Sequence, residues 1–184
     1  MQKIWIFIWR LNPPHIWHIK VIKTSLKKND KTIIFLWSKN LINDKNPFSY
    51  EQRKFFIEKI FKDKNLIIDY LEDYPTDEEW TKKLWEKIKK YTKNREDEIT
   101  FFGWDFENDS AIIAIKNNLK LLYFENIDFF EVYRKNILLP NWEEISSTNL
   151  RKYLTEKKYS KAKELIFPWL KNIIIKFWKE KFDL

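Results

Sequence analysis

Apolar residues in this chain fall into short continuous runs that alternate with longer segments where they recur at helical spacing. Ile4 to Ile8 is one such run, of strand length. After a Pro-Pro loop, Ile16 to Leu26 repeats apolar residues with a helix period. Thr32 to Leu36 is a second β-branched and aromatic run, and Ser49 to Phe61 a second helical segment, opened by a Ser49/Gln52 capping-box pattern. Asn65 to Ile68 predicts a third strand, Asp77 to Tyr91 a long helix and Ile99 to Phe102 a fourth strand. Past Asp105 a helix to Asn117 leads into Leu119 to Phe124 and Phe129 to Val132, expected as the last strands. Ser147 to Lys181 reads as helical with a break near Pro168. Short buried strands alternating with helices pair in parallel through right-handed crossovers, which predicts an open α/β sheet of about five strands with helices on both faces and a helical C-terminus.

Composition adds three constraints. A length of 184 residues suits one domain, 1–184, with a helical segment at about 147–184. With no cysteine, disulfides, thiolate nucleophiles and Cys-based zinc sites are all excluded, in keeping with a reducing, cytoplasmic setting. The N-terminal apolar run is too short for a membrane span and lacks a small-residue cleavage site, so it reads as a buried first strand. The net charge of +8 comes from lysines spread along helices, a pattern of solvated faces rather than a nucleic-acid surface. The third constraint is the least ordinary: one glycine stands against ten tryptophans, where average usage of about 7% Gly would supply roughly a dozen glycines.

The chemistry gathers in a few places. His15 and His18 are the only histidines; they sit three residues apart where the first strand gives way to a helix, beside Arg10, Asn12 and the Pro-Pro turn. Ligands of open α/β sheets bind beyond the strands' carboxyl ends, and a helix N-terminus offers free N–H donors to phosphate. A zinc site would need a third His or Cys, which the chain lacks. Ile145-Ser146-Ser147-Thr148-Asn149-Leu150-Arg151 puts hydroxyls and free amides at a helix start with an arginine one turn on, a second phosphate pocket or, more plainly, a Ser/Thr N-cap. Three further segments lie at other strand exits: Trp37-Ser38 through Asn46-Pro47-Phe48-Ser49-Tyr50-Glu51-Gln52-Arg53, then Asp73 to Trp80, then Gly103-Trp104-Asp105 to Asp109. Trp80 reads either as a ring for stacking or as a core anchor behind an N-cap at Asp77; Asp109 reads as a site carboxylate or a solvated helix residue.

Writing glycine for each tryptophan turns Lys3 to His18 into K-I-G-I-F-I-G-R-L-N-P-P-H-I-G-H, which closely resembles the signature of the HxGH nucleotidyltransferases. The segment from Ile145 to Arg151 matches that superfamily's I-S-x-T-x-x-R motif. The Asn46 to Arg53 string and Trp80 are most similar to its nicotinamide-nucleotide adenylyltransferase branch, with Gln52 where glutamate is usual and Lys45 where several relatives have arginine. The resemblance implies a Rossmann-like sheet and AMP transfer from ATP to nicotinamide mononucleotide, giving NAD and pyrophosphate. Other acceptors of the superfamily stay open: nicotinate mononucleotide, phosphopantetheine or a polyol phosphate. It implies a triphosphate clamp of His15, His18, Arg10 and Arg151, ATP contacts from Ile8, Trp9, Asn12, Trp17, Ser146, Ser147 and Thr148, and acceptor contacts from Ser38, Arg53, Asp77, Trp80 and Asp105. Mg²⁺ would be held mainly by the ATP phosphates, with no metal ligands from the protein. The partners are ATP and a phosphorylated small molecule, without nucleic acid or membrane; self-association stays open.

Trp9, Trp17 and Trp37 fall on glycines of the superfamily pattern, and Trp5, Trp104 and Trp142 are expected in turn-like or phosphate-facing places. The chain thus reads as a gene whose UGA codons mean glycine, translated with tryptophan; Trp80, Trp85, Trp169 and Trp178 lie in helical patterns and suit tryptophan. The alternative is a naturally Trp-rich core, which would make the protein a non-catalytic nucleotide-binding module.

Overall fold

In the computed structural model, which describes residues 1–104, 106–121, 124–131 and 145–182, the chain divides into two compact units. The first comprises Met1–Trp9, Ser25–Lys39 and Lys64–Arg134. It is built on a five-stranded, all-parallel sheet in the order β3-β2-β1-β4-β5, with β1 at Lys3–Trp9, β2 at Lys31–Trp37, β3 at Leu66–Leu71, β4 at Glu98–Gly103 and β5 at Asn126–Glu131. This is the Rossmann-like arrangement, and because every strand runs the same way their carboxyl ends share one edge. Ile4, Ile6 and Ile8 point to one face and pack with α3 (Asp77–Tyr91) and α4 (Ser110–Asn117) through Leu84, Ile88, Ile112 and Ile115. The alternate residues of β1 carry rings on the other face. Trp5 lies 3.9 Å from Phe102 and Phe7 4.5 Å from Trp9, centroid to centroid.

The second unit comprises Arg10–Thr24, Asn40–Asp63 and Lys135–Leu184. It holds most of α1 (Ile16–Lys28), α2 (Tyr50–Glu58), α5 (Ser147–Thr155), α6 (Tyr159–Leu165) and α7 (Lys171–Phe182). The Ser49/Gln52 capping box forms as the sequence predicts, each side chain taking the other's backbone N–H at 3.3 and 3.0 Å. Phe48, Phe56, Phe177 and Trp178 make an aromatic core beneath α2 and α7, with Phe48 5.2 Å from Phe56 and 6.1 Å from Trp178. The break near Pro168 is a short 3-10 turn, Pro168–Leu170. No helix among the described residues is long and apolar enough to cross a membrane.

Three local expectations need correction. Leu119–Leu121 is a 3-10 turn, not strand, so β5 begins later, at Asn126. The helix expected directly after Asp105 starts at Ser110, because Asp109 caps it through bonds to the Ala111 and Ile112 amides at 3.1 and 3.2 Å. Trp5 is not in a turn: it pairs with Thr32 and Thr100 in the middle of β1 and packs on Phe102 and Phe130. Val132 and Trp142 lie outside the described residues.

Gly103, the chain's one glycine, ends β4 where a Cβ would stand 2.8 Å from both Ile112 Cγ1 and Phe106 Cε1. Gly103→Ala should therefore destabilise the fold by about 1–3 kcal/mol through overpacking. Denaturant melts of wild type and variant measure the loss, and an unchanged midpoint would show that the β4–α4 corner yields without cost.

Candidate active site

The stretch from Arg10 to His15 has no regular secondary structure, so its carbonyls need partners from elsewhere. The His15 carbonyl accepts the Ile19 N–H at 3.4 Å, and those of Arg10, Asn12 and Pro13 take side chains of the second unit. Arg53 Nη1 donates to the Arg10 carbonyl at 2.7 Å, Arg151 Nη1 to the Asn12 carbonyl at 2.8 Å, and Ser147 Oγ to the Pro13 carbonyl at 2.9 Å. The Asn12 amide is spent on Phe48: Nδ2 donates to its carbonyl at 3.1 Å and Oδ1 accepts its N–H at 2.9 Å. Between these ties Leu11, 2% exposed, sits at φ 48°, in the left-handed region that costs a non-glycine residue of order 1–3 kcal/mol.

The loop delivers the two histidines at the entry to α1. Their rings lie 3.7 Å apart and tilted by 30°, and the His15 N–H donates to His18 Nδ1 at 3.2 Å. A ring nitrogen that accepts carries no proton, so the neutral His18 ring bears its proton on Nε2 and can donate from there. Trp17 is 2% exposed in the same helical turn, with its ring 5.5 Å from that of His18 and 6.2 Å from that of His15. Arg151, one turn into α5, also donates through Nη2 to Thr148 Oγ1 at 3.2 Å. Burial lowers the Arg151 pKa and the nearby Arg10 cation lowers it further. Two guanidiniums that feel one another next to a helix start, with an imidazole pair on the same loop, make a site suited to a multiply charged anion. Among the described residues, no group of three or more His, Cys, Asp or Glu converges to hold a metal ion.

Within this set the structure brings together Arg10, Asn12, His15, Trp17, His18, Ser147, Thr148 and Arg151, all in the second unit. Ser146 belongs to it by position and acts as the N-cap of α5, accepting the Asn149 N–H at 3.1 Å. Arg53 also lies here, although the resemblance assigned it to the acceptor. Ile8 and Trp9 close β1 in the first unit; Ile8 is part of the apolar core, and Trp9 packs on Phe7.

The remaining acceptor residues belong to the first unit. Ser38, at φ 54° after β2, donates to Asp73 at 3.1 Å. Trp80 is 4% exposed, in the core, with its ring 5.6 Å from that of Trp37. Asp77 is the first residue of α3, and its N-cap is Thr76, not Asp77 itself. Asp105 lies outside the described residues. Phe48 serves the site through its backbone, and Lys181, whose Nζ bonds the Pro47 carbonyl, holds the preceding residue from α7. Phe48 lies in the Asn46 to Arg53 string but acts through its backbone, whereas Lys181 carries no sequence signal, its partner being a carbonyl 134 residues away.

The chain belongs to the Cytidylyltransferase-like family, whose model matches residues 7–153. Solved structures similar to the chain include adenylyltransferases named for nicotinamide and nicotinic acid mononucleotides. A bifunctional NMN adenylyltransferase/ADP ribose pyrophosphatase from Francisella tularensis is 26% identical with a TM-score of 0.71, covering 96% of this chain and 50% of that one. The same enzyme complexed with AMP and a Mn ion gives 26% identity and a TM-score of 0.66, covering 90% and 44%. The chain thus spans about half the length of the Francisella enzyme. A Plasmodium falciparum nicotinic acid mononucleotide adenylyltransferase, at 15% identity and a TM-score of 0.60 over 100% of this chain and 97% of that one, shares the fold. No curated protein matches the chain.

Arg151 holds the Asn12 carbonyl and Thr148 with two nitrogens of one planar fork, a geometry that lysine cannot reproduce. Arg151→Lys should lower nucleotidyl transfer about tenfold or more. Steady-state assays by pyrophosphate release read this directly, and full activity would remove Arg151 from the anion site.

Proposed function

We propose that the protein transfers AMP from ATP to nicotinamide mononucleotide, forming NAD and releasing pyrophosphate. The observation that carries this reading is the close His15–His18 pair on a loop that carries Arg10 and is tied by Arg53 and Arg151, a donor set that suits a triphosphate and contains no nucleophile. None is needed, because the acceptor phosphate itself attacks the α-phosphorus, and the protein contributes positioning and charge neutralisation. His18 Nε2, Arg10 and Arg151 donate to the triphosphate; charge builds on the bridging oxygen as pyrophosphate departs, so donors aimed there accelerate the step. A divalent cation, Mg²⁺ in this reading, would be carried on the phosphate oxygens, since no cluster of carboxylates and imidazoles stands among the described residues to hold it. The Francisella enzyme seen with AMP and Mn supports this assignment.

Residues 9, 17, 37 and 104 are glycine in the native protein, on the same proposal. Trp17 fills the space beside both imidazoles, and Trp37 covers Trp80. Glycine at 17 would open room for phosphate and glycine at 37 would free the Trp80 ring for a planar cationic acceptor, a cation–π contact worth about 0.5–2 kcal/mol. Trp104 follows β4 in a bend. The benefit of glycine is space rather than backbone freedom, because Leu11, Ser38 and Lys157 hold the positive φ angles and no described tryptophan does.

Four measurements test these statements. Incubating the protein with ATP, Mg²⁺ and each of nicotinamide mononucleotide, nicotinate mononucleotide and phosphopantetheine should release pyrophosphate fastest with the first; a faster reaction with another acceptor overturns the substrate assignment. His18→Ala should reduce kcat by about a hundredfold, the loss of one donor to transition-state charge, and an unchanged kcat would exclude it from that role. Peptide mapping by mass spectrometry of the protein from its native host decides the glycines: tryptophan at 9, 17 and 37 would end the recoding proposal. Calorimetric titration with ATP and Mg²⁺ should then show binding for the glycine form and little for the tryptophan form.

A further inference from the structure

We infer that Arg53 is a positioning residue that holds the phosphate loop in its strained form, and that it does not contact the acceptor. Its side chain is 1% exposed, which leaves the guanidinium no surface to offer a ligand. Nη1 reaches the Arg10 carbonyl at 2.7 Å, and Nε points at the Ser49 carbonyl, the N-cap of α2, at 3.4 Å. One rigid fork therefore ties the start of α2 to the residue just before Leu11, whose φ of 48° has to be held from outside. On the far side of Leu11, Phe48 holds Asn12 through two hydrogen bonds. Phe48 and Arg53 belong to the same six-residue segment, and it is anchored from below by Phe56 and Trp178. Both ties on Leu11 thus come from one packed body. Releasing the Arg10 tie lets Leu11 relax toward negative φ and turns the Arg10 side chain and the Asn12 carbonyl out of register with Arg151.

The inference rests on the reading of Arg10 and Arg151 as a triphosphate clamp, and a double-mutant cycle separates the two. ATP with Mg²⁺ is titrated calorimetrically into wild type, Arg53→Lys, Arg10→Ala and the double variant, all carrying the native residues at 9, 17 and 37 that the mass measurement establishes. Lysine keeps the charge and can reach only one carbonyl, so Arg53→Lys should weaken ATP binding about tenfold while leaving the KM for the acceptor unchanged. In the Arg10→Ala background the same change should cost little more, since the group it positions is gone. A raised acceptor KM with unaltered ATP affinity overturns the inference in favour of an acceptor contact. Additive losses overturn it alone, whereas an Arg10→Ala variant with wild-type ATP affinity overturns it together with the clamp. Should Arg53→Lys fail to fold by circular dichroism, Arg53→Gln, which retains one N–H donor toward the Arg10 carbonyl, is measured in its place against the same outcomes.

Discussion

Three carbonyls between Arg10 and Pro13 have no neighbour in a helix or strand, and the site follows from how they are satisfied. Arg53 and Arg151 bind two of them with charged forks and Ser147 binds the third with a hydroxyl. A buried carbonyl left without a partner costs about 1–3 kcal/mol, comparable with the cost of holding Leu11 in the left-handed region. The ties thus supply what the loop's own backbone cannot, and they fix where His15 and His18 enter α1. Two arginines are accordingly engaged in holding the loop, and one of them, Arg151, lies close enough to Arg10 for its pKa to be lowered by that charge.

An anion would repay this arrangement. Packing guanidiniums near one another raises the free energy of the empty site, and a polyphosphate relieves the repulsion as it forms charge-assisted hydrogen bonds. The same electrostatics explain why the chemistry requires so little of the protein. In the proposed reaction the acceptor phosphate attacks directly, so rigid, charged donors matter more than any reactive side chain.

Tryptophan shapes the sheet unit differently from position to position. Trp5, half-buried, packs on the rings of Phe102 and Phe130, while Trp85 lies in the core, edge-on to Phe101 at 5.7 Å. Trp80, Trp85 and Trp178 bury their indole N–H groups without a hydrogen-bond partner, a cost that the buried ring area has to outweigh. Gly103 is constrained instead by volume, because Ile112 and Phe106 leave no room for a Cβ. Scarcity of glycine is therefore tolerable to the sheet itself.

Most of the strand and helix order and the parallel sheet were legible in the residues alone. Period-2 and period-3.6 burial is a local property, so α3 was read at its observed limits and the Ser49 capping box at its observed partners. Turn-like or strand-like status near Trp5 and Leu119 was misread because short apolar segments are compatible with more than one backbone state until neighbours compete for them. Only the tertiary structure decided which groups Arg53, Asn12 and Trp80 touch. The resemblance put Arg53 and Trp80 with an acceptor; the Arg53 guanidinium is buried on the Arg10 carbonyl, and the Trp80 ring lies beside that of Trp37. The physical reason is that a side chain's role is set by what lies across from it, and the partners here are distant in sequence: the Arg53–Arg10 contact closes a separation of 43 residues and the Arg151–Asn12 contact one of 139.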